Sequence, residues 1–223
     1  MQRKDVIGMI IALLIIALIS ITVWATEPEG ATPAAGTAET STPAVEGSTV
    51  AQGGYIRELN LTTESQTHLW QGYWGEVNGN ITLEDASGNK MYNWEWDNSD
   101  AGEVYASEAS TPTWTTVVAG STTNVKYVGG SGTSESAVDT FTSTSTWTIA
   151  NKTVTSVPST STYNYTDAGT FNMGILSDGT NMIFVSTLYN NANDFKNGTS
   201  DFQLMVPVNE TAVVTYYLWL ELS

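Results

Sequence analysis

Cysteine is absent from this 223-residue chain, histidine occurs once, and basic residues are scarce, with seven Lys and Arg against 23 Asp and Glu. Without cysteine there is no disulfide, no thiolate metal site and no Cys nucleophile. His68 stands alone, so two-histidine metal sites and histidine-rich zinc motifs are excluded, and beside Trp70 it reads as a packed or surface side chain. Neither a Gly-x-Ser-x-Gly elbow nor a phosphate-cradling glycine loop occurs. Beyond Asp5 the basic residues are Arg57, Lys90, Lys126, Lys152 and Lys196, too scattered to bind a phosphate backbone, and nucleic acid is excluded as a partner. The formal net charge of −16 fits a solvated acidic exterior. Among the acids, Glu76, Glu84, Glu95 and Glu103 are numerous enough for a glycosidase-type carboxylate pair, but their spacing singles out no two of them. No enzyme is expected.

What the chain does have begins with an uncharged apolar run from Val6 to Thr26. Roughly 20 helical residues span a bilayer core, so residues 1–26 are expected to form a signal-anchor or transmembrane helix. Arg3 and Lys4 precede the run and Glu27 follows it, which places the N-terminus inside and exports the rest. Its length favours a retained single-pass anchor over a signal peptide cleaved after Ala25, which would release a secreted form. A prepilin-type cut after Gly8 fits less well, because Ile7 precedes that glycine and Leu13 stands where prepilins carry Glu.

Residues 27–54 are almost entirely Thr, Pro, Ala, Glu, Gly and Ser, as in Pro28-Glu29-Gly30-Ala31-Thr32-Pro33. Such a tract has too little apolar area to offset its ordering entropy, and a disordered stalk is expected, either a plain spacer or an O-glycosylated one.

Residues 55–223 leave about 170 residues, the size of one all-β domain. The expected fold is an antiparallel β-sandwich, Ig-like or jelly-roll-like. Tyr73, Val77, Ile81 and Leu83 share one parity, which predicts a continuous strand with a kink at Gly79 in preference to a hairpin at Asn78-Gly79. Asp85-Ala86-Ser87-Gly88-Asn89 is a turn, followed by alternating Tyr92, Trp94 and Trp96. The Thr- and Ser-rich middle offers strand candidates at 113–118, 124–128 and 147–157, and one helical turn within 135–141. Further on, 171–176 and 182–189 predict a hairpin around Ser177-Asp178-Gly179-Thr180, with both faces of its second strand apolar as in a buried central strand. Phe202, Leu204 and Val206 alternate, and 212–222 read as a long strand that either lies centrally or self-associates with a second subunit.

Three kinds of site stand out. Six Asn-x-Thr sequons, at Asn60, Asn80, Asn151, Asn164, Asn197 and Asn209, predict N-linked glycans on an exported domain. The run from Asp97 to Glu108 has oxygens at positions 1 and 3, Gly at 6 and Glu at 12, as in a calcium loop. Its ligands would be Asp97, Ser99, Glu103 and Glu108, yet Ala101 sits where a fifth is wanted, and a plain acidic loop is the favoured reading. Trp70, Tyr73, Trp74, Trp94, Trp96, Trp114 and Trp147 serve either a sandwich core, the favoured reading, or a carbohydrate platform, for which Trp94 and Trp96 are the candidates.

The stretch Trp70-Gln71-Gly72-Tyr73-Trp74-Gly75-Glu76-Val77-Asn78-Gly79-Asn80-Ile81-Thr82-Leu83, with Ser87-Gly88-Asn89 and Tyr92-Asn93-Trp94, resembles a motif of exported archaeal cell-envelope proteins. Asp201-Phe202-Gln203-Leu204 and Thr215-Tyr216-Tyr217-Leu218-Trp219-Leu220-Glu221-Leu222 are similar to the ends of the same group. The resemblance implies an archaeal envelope setting and carries no active site. Together these features predict a non-enzymatic, membrane-tethered, glycosylated structural or adhesive protein, with a carbohydrate-binding module and a pilin-like subunit as alternatives.

Overall fold

A computed structural model of the chain describes residues 27–38, 48, 52–53, 56, 58, 67–95, 102–133 and 135–222. The fold is all-β and antiparallel throughout its ladders. In chain order the strands are β1 Glu29–Gly30, β2 Trp70–Gly75, β3 Asn80–Glu84, β4 Lys90–Glu95, β5 Gly102–Ser107, β6 Val118–Ala119, β7 Ser143–Ile149 and β8 Lys152–Tyr163. They continue with β9 Gly169–Ser177, β10 Met182–Thr187, β11 Ala192–Asn193, β12 Thr199–Ser200, β13 Phe202–Pro207 and β14 Tyr217–Leu222. Helix is confined, among the described residues, to two 3-10 turns, η1 Trp114–Thr116 and η2 Thr122–Asn124, and to α1, Ala137–Thr140. The last is the helical turn expected within 135–141, and Ser136 Oγ caps it by accepting the Asp139 N–H.

The principal sheet runs β1-β14-β5-β10-β9-β8-β7, with β6 also pairing to β9. As the alternation predicts, β9 and β10 form a hairpin, and β10 lies inside the sheet with Ile183 and Val185 on one face and Phe184 on the other. Asp178 builds the connecting turn. Its carboxylate accepts N–H groups from Thr180, Asn181 and Thr113. Desolvation by itself would raise this carboxyl, but those bonds and the Asn181 side chain outweigh it and hold the pKa at about 2.

Each face of this sheet carries its own core. On the first, Val104, Ala106, Phe184, Met173 and Ile175 pack with Leu204 and Val206 of β13, which pairs with β2 in a separate ladder. On the second, Tyr105, Ile183, Val185, Leu176 and Trp219 pack with Trp114, Val117, Trp147, Ile149, Val154 and Val157. This second core is closed by β7 and the first half of β8. Ala150 and Asn151, at φ 46 and 64, connect Ile149 to Lys152 as a two-residue turn. Ser156, at φ 58, supplies the extra residue of a bulge within the β7–β8 ladder, between the Trp147–Val154 and Ser145–Val157 pairs.

Several expectations are corrected. The continuous strand through Gly79 is instead two strands, because Asp201 takes the Val77 N–H at 2.8 Å and gives its own N–H to the Gly75 oxygen at 2.9 Å, ending β2. Within the expected stalk, Glu29–Gly30 pairs with Leu220 and Trp219 of β14, and the Ala31 N–H reaches the Leu218 oxygen at 2.9 Å. Backbone pairing on a sheet edge needs little apolar side-chain area, which is why composition misses it. The long last strand shortens to Tyr217–Leu222, and it is internal to the sheet, between β1 and β5. The 113–118 candidate folds mainly as η1, with β6 at Val118–Ala119, the 124–128 candidate starts on the last residue of η2 and continues as bends without a strand, and 147–157 is a hairpin rather than one strand. Residues 1–26, where the membrane helix is expected, lie outside the described residues, and among those described no helix is long and apolar enough to cross a membrane.

Candidate functional site

A gathering of polar and aromatic groups lies where the β8–β9 and β11–β12 turns meet. Asp194 organises the second of these. It is buried, its Oδ1 accepts the N–H groups of Lys196 and Gly198 at 2.8 Å each, and its Oδ2 accepts the Ser200 hydroxyl. The chain therefore curls around a carboxylate, and Asn197 is carried over into the left-handed region at φ 65. A side chain in place of Gly198 would come within 3.1 Å of Asp194 Oδ2, so this position favours glycine. The Asp194 carbonyl also accepts the Tyr165 N–H, which ties the two turns together.

Gln203 makes the second tie. Buried on β13, it accepts the Phe195 N–H with Oε1 and donates through Nε2 to Thr162 Oγ1 and the Tyr163 oxygen. Phe195 meets Trp74 edge to face at 4.8 Å between centroids, and Lys196 Nζ lies 6.0 Å from the Trp74 ring. Tyr163, Tyr165 and Phe195 are exposed around this join. None of the three is among the aromatic candidates drawn from the sequence, which are mostly Trp residues. A signal was present in Phe195-Lys196-Asn197-Gly198-Thr199, an aromatic two residues ahead of a sequon at an Asn-Gly turn.

Five of the six sequon asparagines fall among the described residues, and each lies at a strand boundary or in a turn. Asn80 opens β3, Asn151 tips the β7–β8 turn, Asn164 starts the β8–β9 turn, Asn197 lies in the β11–β12 turn and Asn209 follows β13. Asn80, Asn151 and Asn197 are exposed, while Asn164 and Asn209 are half-buried. In the last two, Oδ1 accepts both the N–H and the hydroxyl of the sequon threonine, a local turn that leaves the Nδ2 group out of those bonds. Asn60 lies outside the described residues.

The calcium candidates are split. Asp97 and Ser99 lie outside the described residues. Glu108 accepts the Lys126 ammonium at 3.2 Å and the Tyr127 hydroxyl at 3.1 Å near Tyr216, on the side of the first core. Glu103 faces the second core with Tyr105 and stands opposite Glu221 on β14. Two carboxylates committed to opposite faces do not ligate one ion in that arrangement. Among the described residues no group of three or more His, Cys, Asp or Glu is gathered as for a metal.

Glu103 and Glu221 form an acidic pair that the sequence reading did not isolate. The Glu221 carboxyl accepts the Tyr105 hydroxyl and the Ala150 N–H, both at 2.8 Å. Burial raises the Glu103 carboxyl to about 8 with help from the Glu221 charge, and burial raises Glu221 against the opposing pull of its two hydrogen bonds. The Tyr105 phenol is pushed upward by burial and by both acids.

Of the aromatic candidates, Trp114 and Trp147 are buried in the second core, Trp70 and Trp74 are half-buried and Tyr73 is exposed. The backbone of Trp94 lies on β4, opposite Ile81, while Trp96 lies outside the described residues. No known family, no curated protein and no solved structure matches the chain.

Proposed function

We propose that the chain is a non-enzymatic, membrane-tethered and glycosylated surface protein of an archaeal envelope, with a structural or adhesive role. Its all-β body is arranged as a β-sandwich, β2–β13 covering one face of the principal sheet, and residues 1–26 anchor it. The observation that carries this reading is the placement of the sequons. All five described sequon asparagines sit at strand boundaries or turns, where a bulky hydrated group leaves the ladders intact. The acid-rich composition and the apolar run at Val6 to Thr26 support the exported setting, and the resemblance at 70–94 and 201–222 supports the archaeal one.

Adhesion by self-pairing has a specific form in this fold. The outer edge of β14 is filled by the chain's own β1, so a second copy pairs there only when β1 is released or exchanged. The exposed Leu83, Met91 and Tyr92 of the β3–β4 hairpin and the Tyr163, Tyr165 and Phe195 cluster favour the carbohydrate-binding alternative. Calcium at the 97–108 run is a lesser proposal of the same kind, and a calorimetric titration without heat at millimolar calcium removes it.

The test is to fractionate cells and sequence the N-terminus of the mature protein while mapping peptide masses. A start at Met1 or Gln2 in the membrane fraction, with hexose-containing masses on sequon peptides, is expected. A start at Thr26 means secretion, a start at Met9 means pilin-type processing, and an unmodified cytosolic product overturns the proposal.

A further inference from the structure

We propose that a saccharide on Asn197 seats its first ring on Phe195, making the glycan a structural part of the β11–β12 turn and not only a surface decoration. This rests on the glycosylation reading above and goes beyond it in naming one site and the surface that receives the sugar.

Three independent observations converge on that turn. Asn197 is exposed, in the left-handed conformation, in a loop whose backbone is fixed by the buried Asp194 carboxylate. Phe195, two residues earlier, keeps 41% of its surface exposed although its backbone and ring are both fixed. Its N–H is held by Gln203 at 3.1 Å, and its ring meets Trp74 at 86°. The ring is thus braced by a half-buried indole yet retains open apolar surface. Rigid, presented aromatic area is expensive to leave in water, and it has low entropic cost to cover.

Spacing completes the case. Within a tight turn, residues two apart lie no more than roughly 7 Å from one another, a gap that one amide-linked pyranose ring bridges. The C–H face of a pyranose is its apolar side, and it carries the partial positive charge that the face of an aromatic ring attracts. None of the other described sequons offers this partner. Two residues before Asn151 stands the buried Ile149, and before Asn209 the buried Pro207. Asn80 and Asn164 are preceded at that distance by Asn78 and Thr162.

The covalent step is an ordinary N-glycosyl transfer. Asn197 Nδ2 bonds to the anomeric carbon of a saccharide carried on a polyprenyl phosphate or pyrophosphate. The anomeric C–O bond breaks, the lipid phosphate leaves with its electron pair, and an Nδ2 proton passes to a base of the transferase. The Phe195 ring takes no part in this chemistry and acts only on the product.

A double-mutant cycle tests the inference. The full chain, Phe195→Ala, Asn197→Gln and the double variant are made in mild detergent from a host that glycosylates exported Asn-x-Thr sites and from one that does not. Peptide masses read occupancy, and urea unfolding reads stability. From the glycosylating host, Asn197→Gln is expected to lower the folding equilibrium constant about three- to tenfold more in the parent than in the Phe195→Ala background. From the other host that coupling is absent. Equal coupling in both hosts, or none with Asn197 occupied, overturns the seating while leaving glycosylation intact. Sugars on other sequons but not Asn197 do the same, whereas no sugar on any sequon removes the glycosylation reading itself.

Discussion

Glu221 on β14 accepts a 2.8 Å hydrogen bond from the backbone N–H of Ala150, 71 residues earlier at the tip of the β7–β8 hairpin. In strand order β14 and β8 are separated by β5, β10 and β9, so the hairpin tip reaches back across one face of the sheet to touch the far side. Tyr105, Trp114 and Trp219 lie under it, with ring centroids 5.1 and 5.6 Å apart. One carboxyl thus closes the second core.

Removing that carboxyl leaves the Ala150 N–H and the Tyr105 hydroxyl without their acceptor. Glu221→Ala is expected to cost roughly 2–4 kcal/mol in urea unfolding, because two part-buried donors lose their shared acceptor. Glu221→Gln keeps an acceptor oxygen and is expected to cost less than half as much. Equal stability of the Ala variant and the parent would show that the hairpin tip does not depend on Glu221.

The same pair makes stability depend on pH in an unusual direction. A carboxyl whose folded pKa lies above its unfolded value keeps a proton in the native state that the unfolded chain releases, so stability declines as pH rises. For Glu103 the decline runs from its ordinary value of 4.5 to about 8, and Glu221 shifts in the same sense. For Glu103 the loss is at most roughly 5 kcal/mol across that window. Melting curves at pH 5 and pH 8.5 should show the parent losing more stability than Glu103→Gln. Parallel curves for the two proteins contradict the buried acid.

Gly174 on β9 lies between β8 and β10, opposite Ser159 and Val185. A methyl group there would fall 2.9 Å from Trp147 Nε1 and 3.0 Å from Val157 Cγ1. Both neighbours are buried in the second core, so neither has room to retreat. Gly174→Ala is expected to lose about 1–3 kcal/mol in denaturant unfolding, the usual cost of overpacking, despite alanine's lower backbone entropy. A gain in stability would mean that the indole shifts freely.

Asp201 illustrates what the sequence made legible and what it hid. The alternation of Phe202, Leu204 and Val206 marks β13 directly, and the turn residues around Asp85 and Asp178 mark two hairpins. Buried at the start of β13, Asp201 itself fixes Val77 at 2.8 Å and Asn191 at 3.2 Å. These are contacts across 124 and 10 residues that no local pattern encodes. For that reason the break after Gly75 read as a continuous strand. The Ala150-Asn151 turn was hidden for a local reason, since alanine is not a residue that advertises a positive φ. The sequons were plain as motifs, but the Phe195 surface beside one of them depends on Trp74 and Gln203, brought in from β2 and β13. Asp201→Ala should cost roughly 3 kcal/mol by orphaning two N–H groups, and Asp201→Asn should recover part of it in the same unfolding assay.

The strap formed by β1 sets the last expectation. It covers only Trp219 and Leu220 by pairing, with the Ala31 N–H extending the ladder to Leu218. Two paired residues hold an edge weakly, whereas β14 offers six residues with apolar side chains on both faces. Ala31→Pro removes the donor to Leu218 while leaving β14 unchanged. With the strap loosened, the exposed edge has the geometry for antiparallel pairing with the same edge of a second copy. Light scattering after size-exclusion chromatography should therefore find a concentration-dependent dimer for Ala31→Pro at protein levels where the parent is monomeric. Adding charge beside that edge at an exposed position, with Tyr217→Lys placed on top of Ala31→Pro, should return the protein to monomer. A variant that stays monomeric at every concentration would show that β1 is not what keeps β14 from associating, and the adhesive role through this strand would fall with it.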